Sequence, residues 1–115
     1  MPRAGDLRFR LHFQSRGAGS DGFGTAVTGP FETRFTVSAG MVAKVGGESV
    51  MASRLAGTQP YVVTVRQSSQ TRQVTTDWRM EDARQPGRIF NIRSIHDPDG
   101  RGAWLDMLVT EGVAT

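Results

Sequence analysis

The sequence predicts a mainly β protein: a small six-stranded antiparallel β-barrel or sandwich with one short helix between the second and third main strands. Two observations lead to this fold class. Apolar and polar residues alternate through most of the chain, as they do in half-buried strands, and only one segment has helical spacing. The length of 115 residues is that of one domain, so residues 1–115 are expected to form a single folding unit.

The first two strands show the clearest alternation. In the first, the apolar side chains all fall on one face of an extended chain: Leu7, Phe9, Leu11 and Phe13. The second is a long strand from Phe31 to Val45, with apolar or small residues at most odd positions and an expected bend or bulge near Gly40.

Four further segments complete the predicted strands. The stretches YVVTVR (61–66) and RIFNIRSI (88–95) predict core strands, and residues 74–80 predict a weaker one. The last strand, AWLDMLVTE (103–111), places Leu105, Met107 and Val109 on one face and is expected to be covered on both sides.

Residues 47–56 predict the helix, which Gly57 ends. Met51 and Leu55 share one face, so we expect them to anchor the helix to the barrel; contact with a neighbouring copy is the less favoured interpretation. Glu48 lies in the first turn, where a carboxylate favours the helix dipole by about 0.3–1 kcal/mol. Capping and pairing with another subunit are equally good interpretations of Glu48.

Composition excludes several classes of site. The chain has no cysteine, which rules out disulfides, thiolate nucleophiles and the commonest structural zinc sites. No apolar run reaches the ~18 residues of a membrane-spanning helix, and arginines interrupt the N-terminal segment, so we expect neither a membrane span nor a signal peptide. The net charge of +3 comes from scattered arginines, which weighs against a dedicated nucleic-acid-binding surface.

No motif makes a positive case for catalysis, a metal or a cofactor. Gly17, Gly19 and Gly22 match the dinucleotide-binding pattern, but no helix follows them. The HDPDG segment (96–100) is expected to be a turn whose acidic side chains bond to their own backbone. His12 is expected at the surface or an interface rather than in a catalytic site. Because none of these motifs supplies a catalytic group, the protein is predicted not to be an enzyme.

Taken in order, the segments AGDLRFRLHFQ, DGFG, FTVSAGMVAKVGGESVMASRLAG, YVVTVR and RIFNIRSIHDPDGRGAWLDMLVTEG resemble the phage head-tail joining family, also called head closure or stopper proteins. The resemblance covers nearly the whole chain. Its most specific residues are Gly47, Glu48, Tyr61, Arg66, Gly87, Phe90, Ile92, the DPDG turn, Leu105 and Glu111.

This resemblance implies a structural virion protein of tailed phages, prophages or gene transfer agents. Family members form a ring, expected to hold six or twelve copies, below the portal and its adaptor protein. The ring closes the DNA-filled capsid and docks the tail through a tail terminator or tail tube protein. It would contact packaged double-stranded DNA non-specifically and no membrane, and it would assemble in the host cytoplasm.

The resemblance also implies candidate residues. Relatives have an excursion between the second and third strands that is implicated in channel closure, and here it contains Glu48, Met51, Arg54 and Leu55. Arg54 would meet an acidic neighbour or DNA phosphates in the channel. The glycine-rich loop Gly17 to Pro30, with Asp21 and Phe23, is the second candidate, a docking arm that a partner would order.

Two other functions stay open at this point. An OB-like module that binds single-stranded nucleic acid would need aromatic side chains on an exposed face, whereas most aromatics here alternate inward. A small hydrolase would need a base, for which His12 and His96 are the available histidines.

Overall fold

A computed structural model of the protein describes residues 7–20, 26–44, 47–55, 57–98 and 100–112. These ranges contain six strands and one α-helix: β1 (Phe9–Ser20), β2 (Ala26–Ala43), α1 (Glu48–Leu55), β3 (Gln59–Arg66), β4 (Arg79–Asp82), β5 (Ile89–His96) and β6 (Trp104–Glu111). A 3-10 turn, Thr71–Gln73, precedes β4.

The six strands form a closed barrel in the order β1-β2-β3-β6-β5-β4, with β4 returning to β1. Every neighbouring pair is antiparallel. The predicted fold class is therefore confirmed in its barrel form, with the helix between the second and third strands as expected. Closure removes most of the free sheet edges that an open sandwich of this size would leave.

The barrel encloses one hydrophobic core, which explains the alternation in the sequence. Inward-facing side chains from all six strands are buried there, and the fully buried ones include Leu11, Phe13, Val63, Val65, Met80, Phe90, Met107 and Val109. Phe13 stacks on Phe35 with ring centroids 5.0 Å apart, and Trp78 packs on Phe35 at 5.8 Å. Side chains fill this interior, as in other small barrels.

The first hairpin extends beyond the barrel wall. β1 pairs with β4 only from Leu11 to Gln14, and β2 pairs with β3 only from Gly40 to Ala43. Within the described ranges, residues 15–20 of β1 and 26–32 of β2 pair with each other and with no other strand. We call this two-stranded segment the ribbon.

The ribbon corrects the prediction of a loop from Gly17 to Pro30. Residues 17–20 and 26–30 belong to β1 and β2, because cross-strand pairing overrides the weak strand propensity of glycine and proline. The intervening residues 21–25, which include Asp21 and Phe23, lie outside the described part of the chain.

Two other local predictions need correction. The register shifts of the first hairpin occur between Phe13 and Gln14 and between Arg16 and Ala18, whereas Gly40 is the point where β2 passes from β1 to β3. The weak strand predicted at 74–80 begins only at Arg79. Before it, the Trp78 N–H donates to the Thr75 carbonyl at 3.1 Å, which closes a turn instead of a ladder.

Candidate assembly surface

The α1 excursion leaves the barrel at the end opposite the ribbon, since β2 runs from one end to the other. Gly47 and Gly57 bracket the helix with φ angles of +94° and +82°, a conformation that glycine adopts without strain. The Gly57 N–H donates to the Arg54 carbonyl at 3.0 Å and ends the helix. The prediction of a short helix stopped by Gly57 is thus confirmed.

The apolar face of α1 does not pack on the barrel. Met51 is 63% exposed and Leu55 is 84% exposed, and Val42, just before the excursion, is 70% exposed. These three are the exposed large hydrophobic side chains of the described residues, and we call them the apolar patch. The expectation that Met51 and Leu55 anchor the helix to the barrel was wrong, because periodicity identifies an apolar face but not what covers it.

Polar contacts tie the excursion to β3 instead. The Arg54 guanidinium donates from Nε to Oε1 of Gln59 at 3.3 Å. The Gln59 amide in turn donates to the carbonyls of Lys44, at 3.0 Å, and Pro60, at 2.9 Å. Gln59 therefore links the end of α1, the entry of β3 and the exit of β2, a role that the sequence did not reveal.

Glu48 and Arg54 are both exposed on α1, with Glu48 in the first turn and Arg54 in the last. This arrangement complements the helix dipole at both ends. The positions fit the capping interpretation of Glu48 and leave both side chains accessible to a partner, so their roles in a ring stay predictions.

At the base of the ribbon, two arginine side chains pack on the ring of Phe31. The guanidinium carbon of Arg79 lies 4.1 Å from the centroid of Phe31, and that of Arg16 lies 4.8 Å from it. Arg79 also donates to Oε1 of Gln14 at 2.7 Å, and Gln14 donates to the Thr33 hydroxyl at 3.2 Å. The ribbon is thereby braced against β4, through contacts between residues far apart in the sequence.

The end of the barrel that carries α1 is closed by a polar cluster. Arg88 donates to both carboxylate oxygens of Glu111, at 2.6 and 3.0 Å, and lies 3.7 Å from a carboxylate oxygen of Asp82. The Tyr61 hydroxyl donates to Glu111 at 3.2 Å. Tyr61 and Glu111, two of the residues that carried the family resemblance, thus join β3, β6 and the β4–β5 connection.

Contacts within the polar cluster shift the pKa values of Glu111, Tyr61 and Arg88. The hydrogen bonds from Arg88 lower the pKa of Glu111, and burial together with the Glu111 charge raises the pKa of Tyr61. The hydrogen bonds to Glu111 also raise the pKa of Arg88. Each shift favours the protonation state that holds the cluster together at neutral pH.

The motifs considered for chemistry have structural explanations. Asp97 accepts hydrogen bonds from the N–H groups of Gly100, at 3.0 Å, and Gly102, at 2.8 Å, as expected of a turn. His12 bonds through Nδ1 to the Thr36 hydroxyl at 2.6 Å on the outside of the barrel. Within the described ranges, no group of three His, Cys, Asp or Glu side chains is placed to hold a metal ion.

Two surface properties bear on the remaining alternatives. The aromatic side chains whose burial is described are buried or half-buried, whereas a stacking platform for single-stranded bases uses exposed rings. In the described residues, no helix has the length and apolar character needed to cross a membrane.

Comparison with known proteins identifies the family. A model of the phage head completion protein family matches residues 2–112. The chain belongs to this family. The head completion proteins are structural proteins of the phage particle rather than enzymes, which confirms both the resemblance seen in the sequence and the prediction of a non-enzymatic role.

Solved structures with the same fold include two of similar length. A chain in the virion of a native gene transfer agent particle is 22% identical, with a TM-score of 0.67 and full coverage of both chains. The solution structure of protein SF1141 from Shigella flexneri 2a is 23% identical, with a TM-score of 0.68, and covers 99% of this chain and 100% of its own. No curated protein matches the sequence.

Proposed function

We propose that this head completion protein forms a ring in the head-tail connector, below the portal and its adaptor protein. The ring closes the DNA-filled capsid and docks the tail through a tail terminator or tail tube protein. The family supports a structural role in the particle, and the similar chain from a gene transfer agent virion supports a location there. Assembly takes place in the host cytoplasm, with six or twelve copies in the ring.

The observation that carries this proposal is the apolar patch of Val42, Met51 and Leu55. Covering a large aliphatic side chain contributes about 1.5–3 kcal/mol, so three exposed ones on an eight-residue helix and its approach favour contact with a partner. An isolated helix of this length is marginal in water. A partner that covers the patch would therefore stabilise the excursion as well as bind it.

In a ring, weak contacts between subunits are sufficient for a stable assembly. Each copy needs to bury only a modest surface, because closure makes every subunit bind two neighbours at once and multiplies the affinity. Arg54, exposed beside the patch, adds one positive charge per copy to the excursion. A ring of such charges would hold DNA phosphates without reading sequence, and this contact would weaken as salt increases.

Electron microscopy of particles made without this protein tests the proposal. We expect DNA-filled heads to lose their contents or to accumulate without tails. Normal yields of complete, tailed particles in the absence of the protein would overturn it.

A double substitution tests the patch within the intact protein. Met51→Asp with Leu55→Asp is expected to leave the fold unchanged, since both side chains are exposed, and to lower the yield of tailed particles at least tenfold. Gln85→Asp, an exposed position in the β4–β5 connection, is the matched control and should leave the yield unchanged. Equal yields from the two variants would remove the patch from the assembly contact.

A further inference from the structure

The ribbon presents two sheet edges that nothing in the described structure covers. Residues 15–20 of β1 and 26–32 of β2 pair only with each other among the described strands. Each strand is therefore paired along one edge, and its other edge faces outward. Outward edges of this kind offer backbone N–H and C=O groups to another strand.

The composition of the ribbon makes lateral pairing important for its stability. Residues 17–20 are Gly, Ala, Gly and Ser, and Gly29 and Pro30 lie on the opposite strand. Such residues contribute little strand propensity, and a two-stranded hairpin alone is marginal in water. Further strands paired along both sides of the ribbon would add the backbone hydrogen bonds that stabilise it.

The base of the ribbon fixes its direction before any partner binds. Arg79, on β4, packs on Phe31 and bonds to Gln14, so the brace joins the ribbon to the closed barrel. A preorganised edge loses less conformational entropy on association than a free loop does.

We infer that the outer edge of β1, residues 15–20, pairs with the outer edge of β2, residues 26–32, of a second copy of this chain. The ribbon has one β1 edge and one β2 edge. When copies stand side by side around an axis parallel to the ribbon, β1 of one copy runs antiparallel to β2 of the next. The contact is heterologous and repeats identically, which is the arrangement that closes a ring.

Charge supports the choice of a second copy as the partner. The β1 edge carries the exposed Arg16, whose guanidinium also packs on Phe31, and the β2 edge carries the exposed Glu32. Opposite charges on neighbouring strands stabilise a pair. Among the described residues, the ion-pair partner of Glu32 is the exposed Arg34 at 3.3 Å, and a surface ion pair of this kind exchanges readily. Pro30 has no N–H to donate, so the contact between copies uses the other backbone groups of residues 26–32. The inference rests on the proposed ring and names the surface that joins its subunits.

Cross-linking tests the inference, and the absence of native cysteines makes the test clean. Particles are assembled from a mixture of two single variants, Ala18→Cys and Thr28→Cys, and treated with a short thiol cross-linker. Neither variant can cross-link within one chain. A second pair, Gly19→Cys with Val27→Cys, samples the opposite face of the ribbon, since Gly19 and Val27 are neighbours in the β1–β2 register.

We expect a mixed dimer from at least one pair, and at least tenfold less product when either variant is assembled alone. Electron microscopy of the same particles shows whether rings have formed. Rings without a mixed dimer from either pair would overturn the ribbon contact and leave the proposed function standing. Absence of rings from wild-type particles would overturn both. Cross-links from the ribbon to a different protein, in place of the mixed dimer, would identify that protein as the partner and overturn the inference.

Discussion

The barrel and its two projections use apolar residues in opposite ways. Phe13, Phe90 and Met107 are fully buried in the barrel, whereas Met51 and Leu55 on α1 are largely exposed. The ribbon, at the other end, has small or polar residues at most positions, and its larger apolar residues are Val27 and Phe31. The comparison teaches that the buried residues that hold the fold together and the exposed residues proposed for assembly are separate sets. We therefore expect that each set can be changed without disturbing the other.

The largest expected effect is on the barrel core. Phe90→Ala should lower the free energy of unfolding by about 3–5 kcal/mol, because it removes a fully buried ring that the surrounding strands cannot replace. Met51→Ala, a large-to-small change on the exposed helix, should change the same quantity by less than about 0.5 kcal/mol. Denaturant unfolding of both variants measures the difference, and similar losses would contradict the separation of the two sets.

The polar cluster should matter less than the core and more than the projections. Arg88→Ala should cost about 2 kcal/mol, because it removes two charged hydrogen bonds and leaves the carboxylates of Glu111 and Asp82 unbalanced. Arg72→Ala, which loses one exposed hydrogen bond to Gln67, is the matched control and should cost less than about 0.5 kcal/mol. Equal unfolding midpoints for the two variants would show that the cluster does not stabilise the barrel end.

Acid should weaken the same cluster. The pKa of Glu111 is lower in the folded protein than its ordinary value of 4.5, so its contribution to stability is complete above that pH and is lost as the pH falls through the folded pKa. Glu111→Gln should be less stable than the wild type at pH 7, and the gap should narrow below pH 4.5. Unfolding curves at several pH values measure this, and a gap that stays constant in acid would argue against the ion pair.

The smallest effect is expected at the brace of the ribbon. Arg79→Ala removes a cation–π contact and a hydrogen bond at a partly buried site, at a cost of about 1–2 kcal/mol that falls mainly on the ribbon. Hydrogen exchange should speed up in residues 15–20 and stay unchanged in β6. Arg84→Ala, which removes one exposed hydrogen bond to the Arg8 carbonyl outside the ribbon, is the control. Exchange that rises equally throughout the barrel would mean that the ribbon is not an independent unit.

Local pattern was sufficient to predict most of the barrel. Alternation grouped Leu11 with Phe13 on one face of the first strand, and Leu105, Met107 and Val109 on one face of the last, and all five are buried. It failed for the ribbon, because Gly17, Gly19 and Pro30 have loop propensities and become strand only through pairing with a distant segment. Pairing between distant segments is a tertiary contact, and a short stretch of sequence does not include both partners.

The candidate site was predicted only in part. The helix was placed correctly, but the exposure of Met51 and Leu55 depends on where the barrel wall ends, which the spacing of apolar residues does not reveal. The bonds between Arg88 and Glu111 and between Arg79 and Gln14 span 23 and 65 residues, so no short stretch of sequence contains both partners. The family resemblance identified Glu111 without giving its partner.

Oxidation of methionines offers the most direct test of the central claim, that the exposed helix is an assembly surface. Met51 is exposed in the single chain, whereas Met80 and Met107 are fully buried and act as internal controls. Peroxide treatment followed by mass spectrometry should oxidise Met51 rapidly in the isolated protein and at least tenfold more slowly in purified particles, with Met80 and Met107 protected in both. Oxidation of Met51 at the same rate in particles as in the isolated protein would contradict the account.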